Sequence, residues 1–141
     1  MTKSNLSARW RTWSPHLLSL LRIVAAGLFM LHGTMKLFAF PAGAGNGATV
    51  NLFSEIGLAG ILETFGGAML LIGLFTRPVA FVLSGQMAVA FFQAHAHKGF
   101  WSAITGGELA MLYCFIWLFF SAAGGGPLSV DAKIRTRNKE T

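Results

Sequence analysis

The chain has 141 residues, of which 54% are hydrophobic and only 11% are charged. A soluble domain usually carries about 25% charged residues, so this deficit, with a mean hydropathy of +0.60, points to a membrane protein. The net charge of +6 is not a nucleic-acid footprint, because the cations sit at the two ends and are nearly absent between them, and the single cysteine, Cys114, excludes an intrachain disulfide and any Cys-x-x-Cys redox motif.

A membrane helix needs about 20 mainly apolar residues, and four segments qualify: roughly 17–40, 57–75, 78–94 and 107–123. The expected organisation is a cytoplasmic N-terminal segment (1–16), a four-transmembrane-helix domain (17–123) and a cytoplasmic basic tail (124–141). Trp10 and Trp13 precede the first span, where interfacial aromatics belong. His32 and Lys36 interrupt that span, and it is long for a signal-peptide core, which argues against cleavage; the following "PAGAG" keeps cleavage open. The loop "PAGAGNGATVN" is Gly-rich and polar enough to leave the membrane. The second and third spans are joined by only "TRP", a tight helical hairpin with Pro78 suited to the first turn of the next helix.

Orientation follows from Lys and Arg. Lys3, Arg9, Arg11 and Arg22 at the N-terminus, Arg77 in the hairpin turn, and Lys133, Arg135, Arg137 and Lys139 in the tail make nine of eleven cations on one side of a four-span arrangement. Only Lys36 and Lys98 fall on the other side, with Phe100 and Trp101 as outer interfacial aromatics. The fold class expected is all-α, a polytopic membrane four-helix bundle with both termini cytoplasmic.

The polar residues inside the spans carry the functional question. Glu63 is the one charge between Gly57 and Phe75. It lies six residues into the second span, about 9 Å deep at 1.5 Å per residue. An acid or lysine at a span centre costs about 2.5–3.5 kcal/mol on insertion scales, whereas an apolar residue returns about 0.3–0.6 kcal/mol. That imbalance argues that Glu63 meets a partner. His32 and Lys36 are four apart on one face in the outer half of the first span. The third span ends at His95, His97 and Lys98, and Glu108 begins the fourth. These groups all fall in the outer half, where Glu63 or Glu108 pairing with Lys36 would reduce the penalty. Each also has a plain structural reading: Lys36 snorkelling, Glu108 favouring a helix N-terminus, His95 and His97 lying in a wet loop.

Gln86, Gln93 and His97 share one helical face if the helix continues that far, which favours His97 over His95. Gly66, Gly67 and Gly73 form a small face suited to close helix packing. Tyr113 and Cys114 sit mid-span, and nothing near Cys114 in sequence would lower its pKa. "HAH" resembles a ligand pair, but imidazoles two apart on a helix diverge; a Glu63–His–Glu108 site would suit zinc, iron or copper, yet no spacing motif supports it and no metal site is assigned. No P-loop, nucleophile elbow or haem-attachment signal is present.

"LHGTMKLF", "ETFGGAMLLIGLFTRPVA", "HAHKGFW", "GGELAMLY" and "GGGPLSVD", in this order, resemble the DoxX family over roughly Leu20 to Asp131. The resemblance implies a four-helix, multi-pass protein of the bacterial cell inner membrane. The family takes its name from a small subunit linked to a membrane quinone-reducing thiosulfate oxidoreductase, so a fold is implied more firmly than an activity. The family pattern His-x-x-Asn-Gly-Phe aligns with "HAHKGF" and favours His95, with Lys98 standing where Asn is usual. Both histidines therefore stay open.

The expected function is a redox-associated, quinone-compatible membrane subunit, with a polar site drawn from His32, Lys36, Glu63, Gln86, Gln93, His95, His97 and Glu108. A histidine or glutamate would exchange a proton with the ligand, Lys36 would stabilise developing negative charge, and a partner protein would supply electrons. The alternatives are a non-enzymatic assembly factor or binding scaffold and, as an oligomer, a small transporter or proton pathway. Partners expected are membrane lipid and a protein partner or second copy, not nucleic acid.

Overall fold

The computed structural model describes residues 3–41, 49–96 and 106–139, of which 3–8 are described by their backbone only. Among these residues the chain is all-helical, with five helices and no strand: α1 (Lys3–Phe38), α2 (Glu55–Ile72), α3 (Thr76–Ala94), α4 (Glu108–Ala123) and α5 (Val130–Arg137). Two helices are long and apolar enough to cross a membrane, Arg9–Phe38 within α1 and the whole of α2; α4 is apolar but shorter.

α1 starts well before the apolar run, so part of the segment assigned to the N-terminus is helical, and the basic tail contributes α5. Ser54 caps α2 by accepting from the Gly57 amide at 3.0 Å, with Glu55 in the first turn facing the positive end of the helix dipole. α2 ends in a Schellman closure. Gly73 adopts φ 72°, its amide reaches Leu70 O at 3.1 Å, and the Leu74 amide reaches Met69 O at 2.9 Å. α3 begins at Thr76, after Phe75 in the left-handed region at φ 47°. α4 ends at Gly124, φ 83°, and Ser129 caps α5 by accepting from the Ala132 amide at 3.2 Å.

α1 packs along α2, and α3 along α4. All four share one apolar core containing Phe29, Leu70, Leu83, Met87, Tyr113, Trp117 and Phe120. Phe29 of α1 fits between the α4 aromatics, 5.0 Å from Tyr113 and 5.4 Å from Trp117 in an edge contact, a geometry aromatic pairs favour. The outward faces are apolar too: Leu28 on α1, Phe81 and Phe92 on α3, and Phe115 and Phe119 on α4 are all more than half exposed.

The glycines of α2 face two neighbours. A Cβ on Gly67 would lie 3.0 Å from Met30 on α1, and one on Gly66 would lie 3.0 Å from Leu83 on α3. α1 and α2 come closest where Gly33 meets Gly60 and Thr64. A Cβ on Gly33 would fall 2.5 Å from the Thr64 amide nitrogen and 2.8 Å from Gly60 O. Small residues at such crossings let backbones approach closely, and this crossing sets the position of the polar groups beside it.

Candidate functional site

Glu63 projects from a π-helical turn, Leu62–Gly66, set within α2. Such turns are rare and concentrate at functional sites. The side chain is 3% exposed. Both carboxylate oxygens lie 2.6 Å from Lys36 Nζ on α1, and Oε1 also accepts from Gln86 Nε2 on α3 at 3.2 Å. Three helices thus converge on one carboxylate. The approach at Gly33 and Gly60 makes the pairing reachable, since a Cβ on Gly60 would meet Lys36 Cβ at 3.2 Å. Lys36 is 32% exposed, so its ammonium keeps some contact with the surroundings while neutralising the acid.

Gln86 does two things. Its amide nitrogen also reaches Ala59 O at 3.4 Å, just before the π turn. Its Oε1 is buried with no hydrogen-bond partner among the described residues, as is Thr64 Oγ1 on the π turn. Buried polar atoms are nearly always satisfied, and these two unpaired oxygens stand beside the ion pair. Gln86 also lines a groove of about 350 Å³ between α2 and α3. Leu58, Leu62, Val82 and Val89 make its apolar walls, and Glu55 and Gln93 add polar groups. Gln86 is therefore the link between the Lys36–Glu63 pair and an open, largely apolar groove.

A second polar layer lies at the opposite end. Arg22 is fourteen residues before Lys36, about 21 Å along α1 at 1.5 Å per residue. It is fully buried. Its guanidinium donates to Gly125 O at 2.9 Å, Leu71 O at 2.7 Å and Leu128 O at 2.6 Å, and also to Leu70 O. Ser19 joins it, accepting from the Leu128 amide at 3.1 Å. Asp131 of α5 closes the layer by accepting from the Phe75 and Thr76 amides, each at 2.8 Å, while its own amide donates to Gly73 O at 3.0 Å. Burial pushes the Asp131 carboxyl up. The hydrogen bonds from Thr76 and Phe75, helped by the nearby Arg135 guanidinium, outweigh that effect and hold it below the ordinary aspartate value.

The DoxX family profile matches residues 17–96. The chain belongs to the DoxX family. A Haemophilus influenzae relative, described as an uncharacterized protein, is 44% identical over 126 residues, covering 86% of this chain and 92% of that protein. No solved structure matches the chain. Membership makes this a membrane protein, in keeping with its two long apolar helices.

Of the residues singled out in this DoxX chain, Lys36, Glu63 and Gln86 meet. His32 is half-buried one turn before Lys36, and no hydrogen bond joins it to Glu63 among the described residues. Gln93 is exposed at the groove. Glu108 is exposed at the start of α4, and no ion pair links it to Lys36 among the described residues. α3 ends at Ala94 with His95 as its C-cap, so the helical face that favours His97 stops short of it. His95 packs against Gly107, where an added Cβ would fall 2.8 Å from its own Cβ. His97 and Lys98 lie outside the described residues. Among the described residues no three His, Cys, Asp or Glu side chains converge to hold a metal ion.

Arg22 and Asp131 escape the sequence reading as site residues. Arg22 reads there as a topology charge, although it stands inside the first apolar run, which is the available signal.

Proposed function

We propose that this protein is a four-span subunit of the bacterial inner membrane, with both termini cytoplasmic, that binds a quinone-type redox lipid beside Lys36, Glu63 and Gln86. One observation carries the reading: Gln86 touches both the buried ion pair and the apolar groove between α2 and α3. A ligand suited to that arrangement has an apolar tail for Leu58, Leu62, Val82 and Val89 and a polar head for Gln86. Glu63 is the proton-exchanging group, and Lys36 stabilises negative charge on the bound head. The electrons come from a partner redox protein. The outward apolar side chains on α1, α3 and α4 and the nine-to-two cation split support the four-span topology.

Two measurements test this. Lipid extracts of the purified protein should be enriched in quinone over bulk membrane lipid, and Glu63→Gln should lose that enrichment; a wild-type quinone content equal to bulk membrane would defeat the ligand assignment. In a chain with Cys114 replaced, a cysteine at position 46 should label from outside and one at 138 should not, and the reverse pattern would invert the topology.

The closed Lys36–Glu63 pair favours a second reading, a scaffold in which the pair fixes helix packing for a protein partner. A stable partner in mild detergent, with no quinone enrichment, would select it.

A further inference from the structure

A separate pocket lies at the Arg22 end, away from Glu63. It has a volume of about 400 Å³ and opens between the α2–α3 turn, the Gly124–Gly125 loop and α5. Two guanidinium groups border it, from Arg77 and Arg135, both exposed. Arg77 crosses Gly124, whose added Cβ would sit 3.5 Å from Arg77 Nε. Gly124 has φ 83°, a backbone state open chiefly to glycine. Among the described residues neither arginine forms an ion pair within salt-bridge distance; Arg135 feels the Asp131 charge at longer range and its Nε donates to Asp131 O at 3.5 Å. The carboxylate on the pocket wall, Asp131, already has both oxygens engaged by the Phe75 and Thr76 amides.

Besides Thr76, the rest of the rim is largely apolar. Phe75 is 61% exposed and Ile134 48% exposed, with Pro78 beside them. Paired guanidinium groups match the oxygens of a phosphate, and basic pockets at the ends of membrane helices suit anionic lipid headgroups. A soluble anion would find no use for the apolar rim, whereas a lipid would lay its glycerol and first methylenes against it.

We propose that this pocket binds the phosphate of an anionic glycerophospholipid, with Arg77 and Arg135 on the headgroup and Phe75 and Ile134 on the start of the acyl chains. The site is independent of the quinone reading and of which way the termini face, because it is measured in detergent.

The test uses the full chain, delipidated in an uncharged detergent and titrated with phosphatidylglycerol or with phosphatidylcholine of the same acyl chains, read by native mass spectrometry. Phosphatidylglycerol should be retained about tenfold better, and Arg77→Gln with Arg135→Gln should remove that advantage. Lys133→Gln with Arg137→Gln removes the same charge from outside the pocket and should change retention less than about twofold. An equal fall in the two double variants would reduce the effect to diffuse surface charge and overturn the proposal. Displacement of the lipid by equimolar inorganic phosphate would overturn it in favour of a free phosphate. The wild-type comparison needs no variant: equal retention of the two lipids is sufficient to reject the site.

Discussion

Lys36 Nζ lies 2.6 Å from both carboxylate oxygens of Glu63, across 27 residues of sequence and between two antiparallel helices. Each charge removes the main reason against burying the other. Breaking one side of a buried pair costs more than replacing both.

Glu63→Gln should therefore destabilise the protein by about 1–3 kcal/mol, moderated because Lys36 is 32% exposed and keeps some solvation. Lys36→Met in the same chain should recover most of that loss, read as thermal unfolding in detergent. If Glu63 serves the bound quinone head, the double variant will recover stability without recovering quinone enrichment. Unchanged quinone enrichment in Glu63→Gln would leave the acid as a packing feature.

Gly33→Ala tests the close crossing. Its new methyl group would run into backbone atoms of Thr64 and Gly60, which have nowhere to go unless the helices part. We expect a loss of about 1–3 kcal/mol, together with a weakened Lys36–Glu63 contact. Gly85→Ala is the control, since nothing lies within 4 Å of its added Cβ; it should be neutral or stabilising by up to about 1 kcal/mol. Equal melting temperatures for the two variants would contradict the crossing geometry.

Arg22→Lys keeps the charge and loses the fork. One ammonium cannot reproduce the spread of guanidinium donors over Leu70, Leu71, Gly125 and Leu128. The expected cost is about 2–4 kcal/mol, with protease access to residues 124–139 rising before the rest of the chain unfolds. Unchanged protection of that segment would show that the carbonyls do not depend on the guanidinium.

Asp131 sets a pH dependence. Its folded-state value lies below the ordinary one despite the opposing effect of burial, because the Thr76 and Phe75 hydrogen bonds favour the ionised form. The stabilisation is complete above the unfolded aspartate range, about pH 4, and is lost as pH falls through the lower folded-state value. Docking of α5, followed by hydrogen exchange at Phe75 and Thr76, should hold from neutral pH down to about pH 4 and weaken below it. Asp131→Ala should show fast exchange throughout. Loss of protection already near neutral pH in the wild type would refute this assignment.

Much of the layout can be read from residue order. Glu63 stands out because an apolar run rarely carries an acid, and Lys36 falls in the same outer half on the neighbouring helix; Gln86 stands out only for the face it shares with Gln93, and its contact with Glu63 comes from the packing of α3. The π turn under Glu63 leaves no comparable trace in the sequence. Depth alone draws Glu108 toward the same centre, yet it is exposed, because depth does not fix which way a helix turns its face. Arg22 is hidden by a rule that counts cations by side. Its four carbonyl partners lie 48 to 106 residues away in sequence, beyond the reach of any local pattern.

Those separations bear on how the protein is made. Arg22 emerges from the ribosome long before Gly125 and Leu128, yet two of its hydrogen bonds end on their carbonyls. Until the loop arrives, only the Leu70 and Leu71 carbonyls of α2 are at hand for a cation that hydrocarbon solvates poorly, and the guanidinium is half-satisfied. The last loop closes over the first helix and completes its solvation. A chain halted after α4 would hold its apolar helices and still leave Arg22 without the Gly125 and Leu128 carbonyls.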